Sequence, residues 1–306
     1  MRILITGGAG FIGSHTCERF VRNGHRVRVA DNLSSGSLSN IEAVAGDIEF
    51  AEVDIRDFNK TSEACQGMEM VLHLAAVSSV VKSIEDPLAT ERINTAGTIN
   101  VIEACRRQGV SRLVMASSAA VYGEPFQLPL SEDSQTRPGS PYAWQKQSGE
   151  FYGSFFSRQG GAGFLALRYF NVYGPRQDPA SPYSGVISIF VRQARLNQPL
   201  AIYGDGSQTR DFIHVSDIAE ANLRAVEAAG PLPPVINVGT GKETSITEAA
   251  AIIQKSTNSN APIIKKQKRE GDIYRSFSTT TRLKDVLDFT PAIAIETGLL
   301  DLLNED

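Results

Sequence analysis

A glycine-dense turn caught between a strand and a helix limits this chain more than any other feature. Gly7-Gly8-Ala9-Gly10-Phe11-Ile12-Gly13 follows the apolar run 2–6 and precedes a helix-like segment at 13–23. Gly8, Gly10 and Gly13 satisfy GxGxxG, and Gly7, Gly10 and Gly13 satisfy GxxGxxG. Glycines in such a place permit a tight turn and let backbone N–H groups approach a pyrophosphate. The helix N-terminus behind them adds partial positive charge. Taken alone the motif also fits an ordinary glycine-rich turn, so its context decides. Asp31 closes the second, valine-rich strand (25–31) about 20 residues on, where a carboxylate can accept from adenosine ribose hydroxyls. Its charge repels a 2′-phosphate, which favours NAD over NADP. The plainer role for Asp31 is to cap a turn with Asn32.

The first half alternates strand and helix patterns. Strands are expected at 2–6, 25–31, 48–53, 70–74, 112–116 and 163–168, and helices at 13–23, 60–65, 90–108 and 141–158. That alternation implies right-handed crossovers and a parallel sheet covered on both faces. After about residue 170 the pattern loosens. Residues 175–184 read as a loop, 186–196 as a helix, 199–206 as a strand entering a turn, and 215–229 as a helix. Val235–Val238 can be a last sheet strand, followed by a helix near 246–255, a basic stretch at 265–269 and a C-terminal helix. The expected fold class is α/β, a Rossmann-type doubly wound parallel sheet with a smaller C-terminal α/β lobe. Residues 1–170 and 212–240 would form the dinucleotide domain, and 171–211 with 241–306 the second lobe.

Several classes of protein are disfavoured. A formal charge of −4 gives no reason to expect nucleic acid or anionic lipid as a partner. No signal peptide opens the chain, and the apolar run at 71–81 is interrupted and shorter than the about 20 residues a bilayer requires. Cys17, Cys65 and Cys105 are odd in number and far apart, which fits a reducing cytoplasm. His15, His25, His73 and His214 show no ligand spacing, so no metal is expected.

Ser140-Pro141 opens a helix with an N-cap serine and proline at its first position. Tyr142 and Lys146 then lie four apart on one face. A phenol ordinarily titrates near 10. A neighbouring ammonium and a positive nicotinamide ring both favour phenolate, so the pair can supply a base near neutral pH. YxxxK alone arises by chance; its weight comes from following a strand that ends in Ser117-Ser118.

With these pieces assembled, the chain resembles the extended short-chain dehydrogenase/reductase family, and within it the UDP-hexose 4-epimerases. The resemblance rests on TGGAGFIGSH (6–15), DNLSSG (31–36), DIRD (54–57), HLAA (73–76), SSAAVYG (117–123) and SPYAWQK (140–146). It continues through LRYFNVYGPRQDP (167–179), YGDGSQTRDFIHVSD (203–217), NVGTG (237–241) and REGD (269–272), nearly the whole chain. It implies Ser118 as the hydroxyl bridging substrate O4 and Tyr142, with Ser117 one residue off, Tyr142 as base, and Lys146 on the nicotinamide ribose. Gly7, Gly10, Phe11, Ile12, Gly13, Asp31 and Asn32 would contact NAD. Asp54 and Ile55 would flank the adenine, Leu74, Ala75 and Ala76 would line the channel, and Tyr169 would stand beside the nicotinamide. On the substrate side it implies Asn171 at the diphosphate, Tyr203 at the uracil, Arg210 and Arg269 at the phosphates, and Asp272 at the uridine ribose. Val186 and Ser276 complete that set. Two guanidinium forks suit a diphosphate.

Relatives that dehydrate or decarboxylate carry an acidic residue just after the Ser118 position; Ala119 and Ala120 stand here. The implied reaction is a redox-neutral inversion at C4 of a UDP-sugar through a transient 4-keto sugar. Ser276 lies four residues after Asp272, where epimerases restricted to glucose and galactose carry a tyrosine gate. A small residue leaves room for a 2-acetamido group; Phe170 with Asn171, Gln177 and the 78–87 segment also resemble the N-acetylhexosamine epimerases, although Ser78 and Ala119 depart from that pattern. The expected substrates are UDP-GlcNAc/UDP-GalNAc, with UDP-Glc/UDP-Gal also turned over. UDP-glucuronate 4-epimerase is the enzymatic alternative, and a non-catalytic NAD-binding protein the other. Phe151, Tyr152, Phe155 and Phe156 suggest a homodimer through a four-helix bundle, or equally plain core packing.

Overall fold

The computed structural model describes residues 1–178, 185–268 and 273–303. Thirteen strands are assigned among them: β1 (Arg2–Thr6), β2 (Arg26–Asp31), β3 (Ile48–Glu52), β4 (Met70–His73), β5 (Arg112–Ser118), β6 (Gly163–Tyr169), β7 (Asn171–Tyr173), β8 (Leu200–Tyr203), β9 (Thr209–Arg210), β10 (Phe212–His214), β11 (Val235–Val238), β12 (Thr244–Ser245) and β13 (Ile263–Lys266). The helices of the first half are α1 (Phe11–Arg22), α2 (Phe58–Cys65), α3 (Val80–Glu85), α4 (Pro87–Glu91), α5 (Thr98–Gln108) and α6 (Pro141–Arg158). Those of the second half are α7 (Val186–Arg195), α8 (Val215–Glu227), α9 (Ile246–Ser256), α10 (Thr281–Leu287) and α11 (Ile295–Leu303).

Seven strands form one sheet in the order β11-β6-β5-β4-β1-β2-β3, and every neighbouring pair is parallel. The chain order reverses between β1 and β4, and in open α/β sheets ligands bind outside the carboxyl ends of strands at such a switch point. Two apolar cores cover the two faces. One gathers Ile3, Ile5, Phe20, Val29, Leu165 and Ile218, and the other Leu4, Val71, Val101, Leu113, Met115 and Phe164. Alternate residues of β1 therefore feed opposite cores, as the two-residue period of a strand requires. A third core, with Ile187, Phe190, Leu200, Ile202, Ala250 and Leu299, lies under α7, α9, α11 and the short β8–β13 pair.

Three details differ from the sequence reading. The segment expected as one helix over 90–108 is α4, then a π-helical turn at Arg92–Gly97, then α5. Asn94 in that turn clasps the backbone of Val77 through both its amide atoms and also donates to Gln145 on α6, a tertiary demand no local pattern announces. Residues 265–269, read as a basic stretch, begin inside β13, which pairs with β8. Finally, Leu283, Leu287 and Phe289 pack into the sheet core, although residues 241–306 were grouped with the second lobe.

Candidate active site

The glycine turn is as tight as its composition suggests. Gly7 has φ +71, and a Cβ there would lie 2.7 Å from the Ala75 nitrogen. At Gly13 a Cβ would fall 2.1 Å from the Gly7 carbonyl oxygen. Gly10 is the N-cap of α1, carries no side chain to cap it, and no acidic residue stands in the first turn. The N–H groups at this helix start, around Phe11 and Ile12, are thus left for an anion. Such a cradle, which any Cβ would fill, fits the pyrophosphate of NAD.

Asp31, buried at the end of β2, accepts from the Ala9 N–H (3.0 Å) and the Leu33 N–H (2.8 Å). It therefore ties the glycine loop to the ribose side of the site and also makes the turn that was its plainer reading. Asn32 Nδ2 donates to Asp54 (3.1 Å), and Arg56 forks onto the same carboxylate. Those hydrogen bonds, Arg56 first, hold the Asp54 carboxyl at about 2. Ile55 is buried against Gly97, while Leu74, Ala75 and Ala76 follow β4 directly beside Gly7.

Ser117 and Ser118 end β5 and, one residue apart on a strand, face opposite ways. Ser118 Oγ accepts from the Ala120 N–H (3.2 Å) and hydrogen-bonds Tyr142. Ser117 turns inward, and its hydroxyl donates to Glu150 (2.5 Å). Ser140 caps α6 by accepting from the Ala143 N–H. Tyr142 is buried, and its N–H donates to Ser83 Oγ. Lys146 Nζ donates to the Ala116 carbonyl (2.9 Å) and lies 6.0 Å from the Tyr142 ring centroid. The site thus brings Ser118, Tyr142 and Lys146 together at the carboxyl ends of β5 and β6.

The expected lowering of the Tyr142 pKa is absent from the cofactor-free chain. Burial pushes the phenol up, and the Ser118 hydrogen bond opposes this only in part. Desolvation also holds the Lys146 ammonium down at about 8, against the pull of the Glu150 carboxylate. The lysine ammonium points at the Ala116 carbonyl and not at the phenol oxygen. Tyr169 closes β6, but its hydroxyl donates to Asn222 on α8 (2.6 Å) and is not a second base.

The residues expected on the substrate side lie on other elements. Asn171 opens β7, Val186 is the first residue of α7, and Arg210 lies in β9. Tyr203, at the end of β8, lines a recess of about 280 Å³ with Gly204, Asp205, Gln208, Lys268 and Tyr274. Tyr274 escaped the sequence reading, although an aromatic two residues past the REGD motif was its visible signal. Ser276 is 7 % exposed. Arg269 and Asp272 lie outside the described residues. Asp211, fully buried, accepts from Thr240, Gly241 and Ser278 and so ties the segments at 240–241 and 278 to its own, another role the sequence did not disclose.

The fold is a Rossmann-type α/β fold in which Ser118, Tyr142 and Lys146 stand together at the carboxyl ends of the sheet strands. The model of the NAD dependent epimerase/dehydratase family matches residues 3–239. The chain is 41% identical over 304 residues to a Methanocaldococcus jannaschii protein provisionally assigned as a UDP-glucose 4-epimerase, covering 99% of this chain and 97% of that one. The solved Thermotoga maritima UDP-glucose 4-epimerase with UDP-glucose superposes with a TM-score of 0.92 at 36% identity, covering 98% and 96% of the two chains. A Methanobrevibacter ruminantium UDP-N-acetylglucosamine 4-epimerase in complex with UDP-N-acetylmuramic acid gives 0.92 at 37%, again over 98% and 96%. This chain belongs to the NAD-dependent epimerase/dehydratase family and is an NAD-dependent enzyme.

Proposed function

We propose that the enzyme inverts C4 of UDP-sugars, with UDP-GlcNAc/UDP-GalNAc preferred and UDP-Glc/UDP-Gal also accepted. The observation that carries the reading is the assembled Ser118, Tyr142 and Lys146 followed by Ala119 and Ala120. A base is present at C4, and the next two side chains are methyl groups with no proton to give or take at C5 or C6. Bound NAD supplies a reversible hydride acceptor. Ser118 Oγ bridges the C4 hydroxyl to Tyr142, whose phenolate takes the proton and later returns it. Lys146 orients the ribose and favours the phenolate. A 4-keto sugar that turns over in the cleft is reduced on its other face, and the reaction ends redox-neutral. The uridine would rest on Tyr203 and Asp272, and the diphosphate on Asn171, Arg210 and Arg269.

The test is incubation of the purified enzyme, without added cofactor, with UDP-GlcNAc, UDP-Glc and UDP-glucuronate, resolving the products. Conversion to the 4-epimers with no net NADH is expected; a dehydrated sugar or stoichiometric NADH overturns the reading, and turnover of the uronate alone transfers it to that substrate. Ser276 supplies the second arm. A tyrosine there would occupy the buried space left by serine, so Ser276→Tyr should cut acetamido turnover by about 2 kcal/mol of lost access, roughly 30-fold, and spare the hexoses. Full acetamido turnover in that variant refutes the gate.

The aromatic cluster on α6 divides by helical period. Tyr152 and Phe156 pack against the sheet core, whereas Trp144, Phe151 and Phe155 stand 58, 62 and 41 % exposed. Phe151 and Phe155 stack with ring centroids 6.2 Å apart. Ile84 on α3 and Leu88 on α4 are also exposed. A second copy of the chain, related by a two-fold axis, is the occupant we assign to it, because one apolar stripe on a long helix is self-complementary. Sedimentation equilibrium should give twice the chain mass, and Phe151→Glu should give one; a monomeric wild type refutes the assignment. Among the described residues no helix is long and apolar enough to cross a membrane. The three thiols are buried and unpaired, which supports the cytoplasm as its compartment.

A further inference from the structure

Behind the catalytic pair lies a buried charged network that the reaction as derived above does not use. Tyr142, Lys146 and Glu150 follow one another at four-residue intervals on the inward face of α6. Glu150 is 6 % exposed, and its partner Arg168 on β6 is 5 % exposed. Arg168 Nε and Nη2 fork onto the two carboxylate oxygens at 2.8 and 2.6 Å, and the Ser117 hydroxyl donates to Oε1. Arg168 Nη1 donates to the Tyr122 hydroxyl (2.8 Å), which donates to Asn237 Oδ1 (2.7 Å). Asn237 Nδ2 in turn donates to the Leu130 carbonyl. The carboxylate is thus fixed from β5, β6 and, through Tyr122, from β11.

A buried ion pair is a poor source of stability, because desolvation offsets most of the attraction and apolar residues of the same volume serve as well. Its presence here asks for another role. We propose that Glu150 is a positioning residue of the reaction: clamped from behind by Ser117 and Arg168, its carboxylate sets the electrostatic surroundings of the Lys146 side chain from one helical turn away. The proposal rests on the reading of Tyr142 and Lys146 as the reacting pair. The groups around Lys146 are Tyr142 and Glu150 on its own helix, His73 at the end of β4, the Ala116 carbonyl on β5, and Arg168 on β6 behind Glu150. Of these only Glu150 raises the lysine, opposing the burial that holds it at about 8. His73 is held neutral, at about 3, by burial and by the lysine's own charge. Without the Glu150 charge no carboxylate offsets the desolvation of Lys146, and part of the ammonium that favours phenolate is lost at neutral pH.

Two variants test this. Glu150→Gln leaves Arg168 buried without its counter-ion and is destabilised on that ground; Glu150→Gln/Arg168→Met removes both charges and should fold as wild type does. In the cofactor-free proteins, the ε-nitrogen of Lys146 is titrated by NMR after ¹⁵N-lysine labelling, its signal assigned by Lys146→Met. The double variant should titrate about one pH unit lower than wild type, a tenfold change in the ammonium equilibrium. In the NAD-loaded enzyme its kcat should fall about twofold at pH 7 and about fivefold at pH 8, the loss shrinking as pH is lowered, with KM within about threefold, and Glu150→Asp should restore both readouts. A well-folded double variant whose Lys146 titrates as in wild type overturns the proposal. If the wild type itself fails to epimerise, the reading of the function falls instead, and the titration still decides whether Glu150 governs Lys146.

Discussion

Replacing Tyr142 by phenylalanine should lower kcat for C4 inversion by about 10³-fold or more while leaving bound NAD and KM nearly unchanged. The substitution removes one oxygen from a buried ring and leaves the packing of α6 against β5 intact, so the loss is chemical. A positioned acid–base group contributes on the order of 10²–10⁴ to a rate. Ser118 cannot replace it. Its own Oγ receives the Ala120 N–H, and its part is to relay a proton that must reach a group able to keep it. Tyr169 cannot replace it either, with its hydroxyl committed to Asn222. Burial raises the Tyr142 phenol, so its basicity depends on positive charge nearby, that of Lys146 and that of bound NAD. The measurement is steady-state turnover of a UDP-sugar alongside the NAD content of the denatured protein. Turnover above about a tenth of wild type, with NAD present, would remove Tyr142 from the reaction.

What the sequence disclosed was local. Three glycines within seven residues, a strand before them and an acid at the end of the next strand are short-range facts, and β1, α1 and β2 follow them closely. Tyr142 and Lys146 share a face because a helix repeats every 3.6 residues, which sequence spacing reports directly. The division of Ser117 from Ser118 follows from strand alternation. Other features needed partners distant in the chain. Glu150, four residues after a lysine on a helix, reads as half of an exposed ion pair; its partner is Arg168 on another strand, and burial reverses its meaning. The break at Arg92–Gly97 depends on Asn94 reaching Val77 and Gln145. The short α3 and α4 carry exposed Ile84 and Leu88 and no sustained apolar period, so no helix is expected over 80–89. The aromatic run at 151–156 was legible as a cluster, but which rings face the core required knowing which side of α6 meets the sheet.

Gly13→Ala should yield a protein that carries no NAD and turns over less than a thousandth as fast as wild type. In an isolated helix alanine is more favourable than glycine by about 1 kcal/mol. Here the added methyl would fall 2.1 Å from the Gly7 carbonyl oxygen and 2.7 Å from Gly8 Cα, both backbone atoms with no rotamer to yield. Overpacking of this kind costs about 3 kcal/mol, which outweighs the helix preference. Relief can come only by lifting α1 off the turn that follows β1. Gly7 cannot follow that motion, because it is packed against the Ala75 backbone on the other side. The helix start and the loop then part, and the N–H groups that would meet a pyrophosphate no longer converge on one point. Gly24→Ala is the control: its φ of +76 imposes strain of about 1 kcal/mol, but a Cβ there meets nothing within 4 Å. That variant should retain its NAD and turn over within about twofold of wild type. NAD released by denaturation is quantified for both. A full complement of NAD in Gly13→Ala would mean that close approach of helix and strand is not what holds the cofactor.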